Sequence, residues 1–157
     1  MTYVGRGSSA SNGGALPVDP AREDPVRFFE LRTAASSMAI PTIRTIAADL
    51  AARADFDLDS IDDLRMAADD LCDMLVRIAA DTATLSCKFT VRSERIEVAA
   101  DVDVDEGADP LPTGSFSWRV LECLADQVAA VSLPAEPGRR GRVGVTLVKD
   151  AARAQQL

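Results

Sequence analysis

A long amphipathic segment followed at once by two alternating segments most constrains how this chain can fold. From a capping residue at Asp59 or Ser60 to about Ala80, one side of a helix is apolar, formed by Ile61, Leu64, Ala68, Leu71, Leu75 and Ile78. Residues 85–91 and 96–102 then alternate apolar and polar side chains around a short polar turn. Because each of these elements has one apolar face to bury, the sequence predicts helices packed on a sheet.

The flanking segments complete an α+β pattern. Residues 28–33 are predicted to form a first strand, and residues 41–54 a helix with Pro41 in its first turn. After an acidic loop at residues 103–113 we expect a third helix over residues 117–129, and then a last strand that carries Val143, Val145 and Leu147. The predicted fold class is α+β: a two-layer α/β sandwich whose mostly antiparallel sheet is covered on one face by about three helices.

The length and composition indicate one folded domain with loose ends. A chain of 157 residues suits a single core, which we place in residues 25–150. Residues 1–24 are rich in Gly, Ser, Asn and Pro and are predicted to be a disordered leader, and residues 151–157 a frayed tail. The first apolar clusters are too short and too interrupted to predict a signal peptide, and no apolar run approaches the roughly 20 residues that a bilayer requires. We therefore expect a cytoplasmic protein that makes no membrane contact.

The charged and reactive side chains exclude several functions. A formal net charge of -8 disfavours direct nucleic-acid binding and favours basic partners. The absence of histidine removes Ser-His-Asp triads and His-based zinc motifs, so any acid-base chemistry depends on carboxylates or cysteine. The three cysteines Cys72, Cys87 and Cys123 lie in apolar patterns without metal-ligand spacing, and we predict that all three are core thiols.

The segment Gly114–Asp126 is a small-residue loop that leads directly into an amphipathic helix, where backbone N–H groups can receive phosphate. Its Ser-Phe-Ser-Trp sequence resembles the junction between lid and helix in RsbW/UsfX-type anti-sigma factors, particularly those of the mycobacterial type. These proteins belong to the GHKL ATPase superfamily, which has the Bergerat fold. The resemblance covers residues 28–149 and implies this fold, a homodimer formed through the sheet region, and an ancestral site for Mg-ATP.

On the metal side of that site, the resemblance assigns two positions on the second helix. Asp70 matches the carboxylate that polarises the attacking group, whereas Met74 stands where the family has an asparagine that holds Mg²⁺. A thioether is a poor ligand for this hard cation, so the resemblance implies a lost metal ligand. The alternative for Asp70 is a solvated acid beside Asp69 and Asp73.

On the adenine and phosphate side, the motifs are partly retained. Asp105 and Gly107 resemble the start of the family's Asp-x-Gly-x-Gly turn, and Thr146 resembles the threonine of its Gly-x-Thr strand. Gly114 and Ser115 remain from the lid, but the bulky residues that follow limit the approach of backbone amides to phosphate. The alternatives are an ordinary exposed turn and an ordinary strand threonine. The resemblance thus implies weak binding of ATP and Mg²⁺, or none.

The function implied is an anti-sigma factor that sequesters an alternative sigma factor and is released by an anti-anti-sigma (STAS-type) partner. Arg44 falls at the family's partner-binding position and has no acid nearby in sequence; the alternative is a solvated helix residue. A rival function is an active ATP-dependent serine kinase that phosphorylates the anti-anti-sigma factor, with Asp70 as the base and Asp69, Asp73 or water around Mg²⁺. A third is a regulatory dimer with a different partner.

Overall fold

The computed structural model describes residues 25–108 and 111–152, so the predicted leader at residues 1–24 and residues 153–157 of the predicted tail lie outside the described residues. A short 3₁₀ turn, Ser37–Ala39, precedes the first helix. The strands and helices follow in the order β1 (Arg27–Ala34), α1 (Ile40–Arg53), α2 (Leu58–Ile78), β2 (Thr84–Arg92), β3 (Arg95–Val104), α3 (Phe116–Leu124), β4 (Gln127–Leu133) and β5 (Gly141–Asp150).

The five strands form one antiparallel sheet in the order β1-β2-β3-β5-β4. Phe89 of β2 lies opposite Val98 of β3, which in turn lies opposite Leu147 of β5. These three side chains are buried on the face that the helices cover, because successive strand residues point to opposite faces. The predicted α+β class and two-layer arrangement are confirmed.

The core lies between the helices and this face of the sheet. α2 contributes most to it, because this helix contacts α1, α3, β3 and β5. The largest fully buried side chains are Ile43, Leu64, Leu71, Leu75, Leu85, Phe89, Ile96, Val98, Val102, Leu121, Val145 and Leu147. Truncating a buried leucine of this kind costs roughly 2–5 kcal/mol, so α2 anchors the fold.

The predicted start of α2 is wrong by a few residues, because the cap is Asp57 and not Asp59 or Ser60. Asp57 has an extended backbone, and its carboxylate accepts a hydrogen bond of 3.2 Å from the backbone N–H of Ser60. The Ser60 hydroxyl, and with a smaller effect this backbone hydrogen bond, hold the pKa of Asp57 below its ordinary value, although burial opposes the shift. The helix therefore begins at Leu58.

The predicted third helix is too long. α3 ends at Leu124, because Ala125 has an extended backbone. Residues 127–133 form β4, a strand that the sequence analysis did not predict. The Asp126 carboxylate accepts a hydrogen bond of 2.7 Å from the backbone N–H of Asp150, and this fixes the start of the β4–β5 pairing. Pairing with β5 thus overrides the local helical preference of the alanines.

Two of the three cysteines are core thiols as predicted, and one is not. Cys72 and Cys87 are buried, whereas Cys123 is exposed on α3. A hydrogen bond with the Cys87 thiol and burial together raise the pKa of the Cys72 thiol, so this group stays protonated and inert.

None of the helices in the described part of the chain is both long and apolar enough to span a membrane.

Candidate functional site

The functional residues predicted on the first two helices meet in one surface pocket. Arg44 of α1 donates a hydrogen bond of 3.0 Å from Nη1 to Oδ1 of Asp69 on α2. Beside this ion pair is a shallow cavity of about 350 Å³ lined by Arg44, Arg65, Met66, Asp69 and Asp70. We call these five residues the α1–α2 groove. The structure thereby brings Arg44, predicted to bind a partner, together with Asp70, predicted to be catalytic.

The partner of Arg44 was missed by sequence reasoning, which found no nearby acid. Asp69 is 25 residues further along the chain, and only the packing of α1 against α2 brings the two side chains together. The one signal in the sequence is that both residues border the apolar stripes of their helices.

Asp70 is the carboxylate in this cluster without a charge partner. Asp69 pairs with Arg44, and Asp73 pairs with Arg77 at 2.9 Å. Among residues 25–108 and 111–152, no cation forms an ion pair with Asp70. Burial raises the pKa of Asp70 above its ordinary value, and the negative charges of Asp69 and Asp73 raise it further. The groove therefore presents a carboxylate that gains from a partner's cation.

Met74, which the resemblance places at the family's metal ligand, is almost completely buried and belongs to the hydrophobic core. A thioether packed among apolar side chains offers no hard ligand, so this position does not fit Mg²⁺. Within the described ranges, no group of three or more acidic or cysteine side chains is placed to hold a metal ion.

The predicted adenine turn follows β3 and is exposed. The backbone N–H of Ala108 donates a hydrogen bond of 3.0 Å to the carbonyl oxygen of Asp105, closing a turn in which Gly107 has a φ of +80°. This left-handed conformation favours glycine. No hydrogen bond or ion pair joins the side chain of Asp105 to any other described residue.

The predicted lid residues Gly114 and Ser115 lie just before α3. Ser115 is the cap of this helix, and its hydroxyl oxygen accepts a hydrogen bond of 3.2 Å from the backbone N–H of Trp118. Gly114 has open space around the position of a side chain. Ser115 thus has a structural role in beginning α3, and its hydroxyl is already engaged.

Thr146 lies on the face of the sheet that the helices do not cover. Its neighbours along β5, Val145 and Leu147, are buried in the core, so Thr146 points the other way. It lines a depression of about 170 Å³ on the outer face together with Ala99 and Gly144. The structure therefore does not bring Thr146 together with Asp70.

A second, apolar groove runs between the edge strand β1 and helix α1. It has a volume of about 460 Å³, and we call its apolar lining residues Phe29, Leu31, Ile46, Leu50 and Phe89 the β1–α1 groove. Phe29 is 44% exposed, and Phe28 on the same strand is 75% exposed. Sequence reasoning missed this groove, because nothing local reveals that β1 forms an edge of the sheet.

The fold and its surface define a two-layer α+β domain with a charged groove between its first two helices. No protein-family model matches the chain. The anti-sigma-F factor RsbW of Mycobacterium tuberculosis is 36% identical to this chain over 127 residues, both in strain H37Rv and in strain CDC 1551. Each alignment covers 80% of this chain and 75% of the relative. The chain therefore belongs to the family of RsbW-type anti-sigma factors.

Proposed function

We propose that this protein binds and sequesters an alternative sigma factor through the α1–α2 groove. The observation that carries the proposal is the convergence of Arg44, Asp69 and Asp70 in one exposed pocket. Met66, half exposed in the same pocket, adds an adaptable apolar contact. The M. tuberculosis relatives are named anti-sigma-F factors, and this name supports the choice of partner.

The Asp70 carboxylate suits a basic helical partner, because the two arginines of the groove, Arg44 and Arg65, already pair with Asp69 and Asp62. Asp70 has a raised pKa, so a lysine or arginine placed beside it would stabilise the ionised carboxylate. Sigma factors present basic helical surfaces to DNA and to polymerase, and the net charge of -8 on this chain would speed their approach. Because sigma factors act on polymerase, we expect the protein in the cytoplasm.

A calorimetric titration with the purified alternative sigma factor tests the groove. Asp70→Arg should weaken binding by about tenfold or more, because a like charge would face the basic partner. The matched control is Glu97→Arg, which makes the same change of charge on the outer face of the sheet. If both variants lose affinity equally, only net charge matters and the groove is not the binding site.

We further propose that an anti-anti-sigma protein of the STAS type releases the sigma factor by competing for the same groove. Two proteins that both contact Arg44 cannot bind in the groove at the same time. Adding the anti-anti-sigma protein to the preformed complex should displace wild-type sigma factor in proportion to its concentration. Formation of a stable ternary complex would contradict competition and would place the second partner elsewhere.

Nucleotide binding, we propose, is weak or lost. The support is the burial of Met74 at the metal position and the placement of Thr146 on the outer face. Calorimetry with Mg-ATP should therefore detect no tight binding. Low-micromolar binding that depends on Mg²⁺ would overturn this proposal and favour the serine-kinase alternative. In that case Asp70→Asn should abolish phosphate transfer and leave nucleotide affinity nearly unchanged.

We also propose a homodimer in which the β1 strands of two copies pair along their edges. Among the described strands β1 is an edge of the sheet, and such an edge with exposed phenylalanines promotes association. The apolar β1–α1 groove lies directly beside it. Such pairing would extend the sheet and cover Phe29. Sedimentation at micromolar concentration should give the mass of two chains, and a monomer at that concentration would contradict the proposal.

A further inference from the structure

Three arginines gather at the end of the sheet that is remote from the loop of Asp105. β1 begins at Arg27, α1 ends at Arg53 and β2 ends at Arg92, and all three residues line one cavity of about 170 Å³. The loop of Asp105 follows the last residue of β3. This cavity lies at the other end of that strand, beside the turn between β2 and β3. The cavity thus contains no residue of the α1–α2 groove or the β1–α1 groove, and it meets the proposed dimer edge only at Arg27, the first residue of β1.

The described residues of this cavity carry more positive than negative charge. Arg53 donates a hydrogen bond of 2.8 Å to the carboxylate of Asp49, but Arg27 and Arg92 have no ion pair with any described residue. Among the described residues that line the cavity, Asp55 is the one carboxylate, set against three guanidinium groups. Clustered cations repel one another, so the arrangement gains from a bound anion. It stands out in a chain whose formal net charge is -8.

We propose that this cavity binds a phosphate dianion, either free phosphate or the phosphoryl group of a small ester. Guanidinium groups bind phosphate oxygens through paired N–H donors, and Ser93 in the lining adds a hydroxyl donor. The cavity is smaller than the roughly 300 Å³ at which sites for drug-sized ligands begin, so it suits a compact anion. A bound dianion would link the start of β1, the end of α1 and the turn after β2.

Calorimetry with inorganic phosphate on the full chain, at constant ionic strength, tests the proposal. Wild-type protein should bind one phosphate with a Kd on the order of 1 mM. The double variant Arg27→Ala/Arg92→Ala should bind about tenfold more weakly or not at all. The control Arg32→Ala/Arg139→Ala removes the same two charges from exposed sites that already pair with Glu30 and Glu136. Its phosphate affinity should stay within about twofold of wild type.

Equal losses in the two double variants would mean that phosphate responds only to overall charge, and would overturn the proposal. Absence of saturable binding by wild-type protein would overturn it as well. Arg92→Lys provides a second variant that keeps the charge but removes the paired donors, and it should also weaken binding. Glycerol 3-phosphate tests whether the ligand is free phosphate or a phosphate ester. An affinity equal to that of phosphate identifies esters as ligands, and a loss of affinity identifies free phosphate.

Discussion

The two flanks of α1 differ sharply in chemistry. On one flank this helix faces α2 across the α1–α2 groove, where Arg44, Asp69 and Asp70 carry charge. On the other it faces β1 across the β1–α1 groove, whose lining is largely apolar and includes Ile46 and Phe29. Charged, partly solvated surfaces suit partners that exchange, whereas apolar surfaces suit lasting contacts between subunits. One helix can therefore contact an exchangeable partner on its charged flank and a second subunit on its apolar flank.

The spacing of residues along α1 explains how one helix has both surfaces. At 3.6 residues per turn, Arg44 and Ile46 are separated by about 200° around the helix axis. The buried residues Ile43, Ala47 and Leu50 lie between these two directions and face the core. A change on one flank should therefore leave the other flank intact, and the predictions that follow depend on this independence.

The largest expected effect comes from charging the apolar flank. Phe29→Asp should weaken dimerisation by about a hundredfold or more, because a carboxylate would be desolvated in the interface. Sedimentation velocity measures the change. Val131→Asp is the control, since Val131 has a similar exposure on β4, at the opposite edge of the sheet. A dimer that survives Phe29→Asp, or that dissociates in both variants, would remove the β1 edge from the interface.

Sequence reasoning predicted the elements whose signal is local. The period of α2 and the alternation of β2 and β3 each follow from one buried face, so all three elements were predicted, although α2 begins slightly earlier than expected. β4 was missed because its alanine-rich sequence becomes a strand only through pairing with β5. The order of strands, and hence the exposed edge at β1, depends on contacts between distant segments, which a local pattern does not contain.

The candidate site was predicted residue by residue but not as a whole. Asp70 and Arg44 were both named, yet their meeting depends on how α1 packs against α2. For Thr146 the alternation in β5 already indicates the outer face, because Val145 and Leu147 are core residues. The resemblance to a family motif assigned it to the nucleotide instead. Periodicity gives the direction of the Thr146 side chain, whereas its contact with the nucleotide stays a prediction of the resemblance.

On the charged flank, Arg44→Ala should reduce affinity for the sigma factor by about thirtyfold, or about 2 kcal/mol, as an interfacial arginine often does. The melting temperature should change little, because half-exposed ion pairs such as Arg44–Asp69 contribute only about 0–1 kcal/mol. A binding titration and a thermal melt measure the two effects. Arg139→Ala, at an exposed pair on the β4–β5 turn, should affect neither. Wild-type affinity in a folded Arg44→Ala variant would exclude Arg44 from the binding surface.

Ionic strength should affect binding at the charged flank but not at the apolar flank, and this effect should be smaller than that of Arg44→Ala. Raising ionic strength from about 0.05 to about 0.5 M should slow association with the sigma factor by about tenfold, because salt screens exposed charges. Stopped-flow measurements give this rate. Dimerisation through the apolar flank should not weaken over the same range, since it depends on burial of nonpolar surface. An association rate independent of salt would mean that the charge of -8 does not steer the partner.

The smallest effect concerns Asp70, the acid of the charged flank that forms no ion pair with any residue that the structure describes. Burial and two neighbouring carboxylates raise its pKa in the folded protein, so folding favours its protonated form. That contribution to stability is complete below the unfolded pKa of about 3.9 and is lost as pH rises through the higher folded pKa. Asp70→Asn should therefore melt slightly above wild type at neutral pH, with the difference vanishing in acid.

Thermal melts from acid to neutral pH test the sign of this difference in melting temperature. Glu97→Gln on the outer face is the control, and its melting temperature should not rise above that of wild type. A lower melting temperature for Asp70→Asn at neutral pH would mean that the ionised carboxylate already has a favourable partner. The groove would then lack the open carboxylate on which the proposed contact with a basic sigma factor depends.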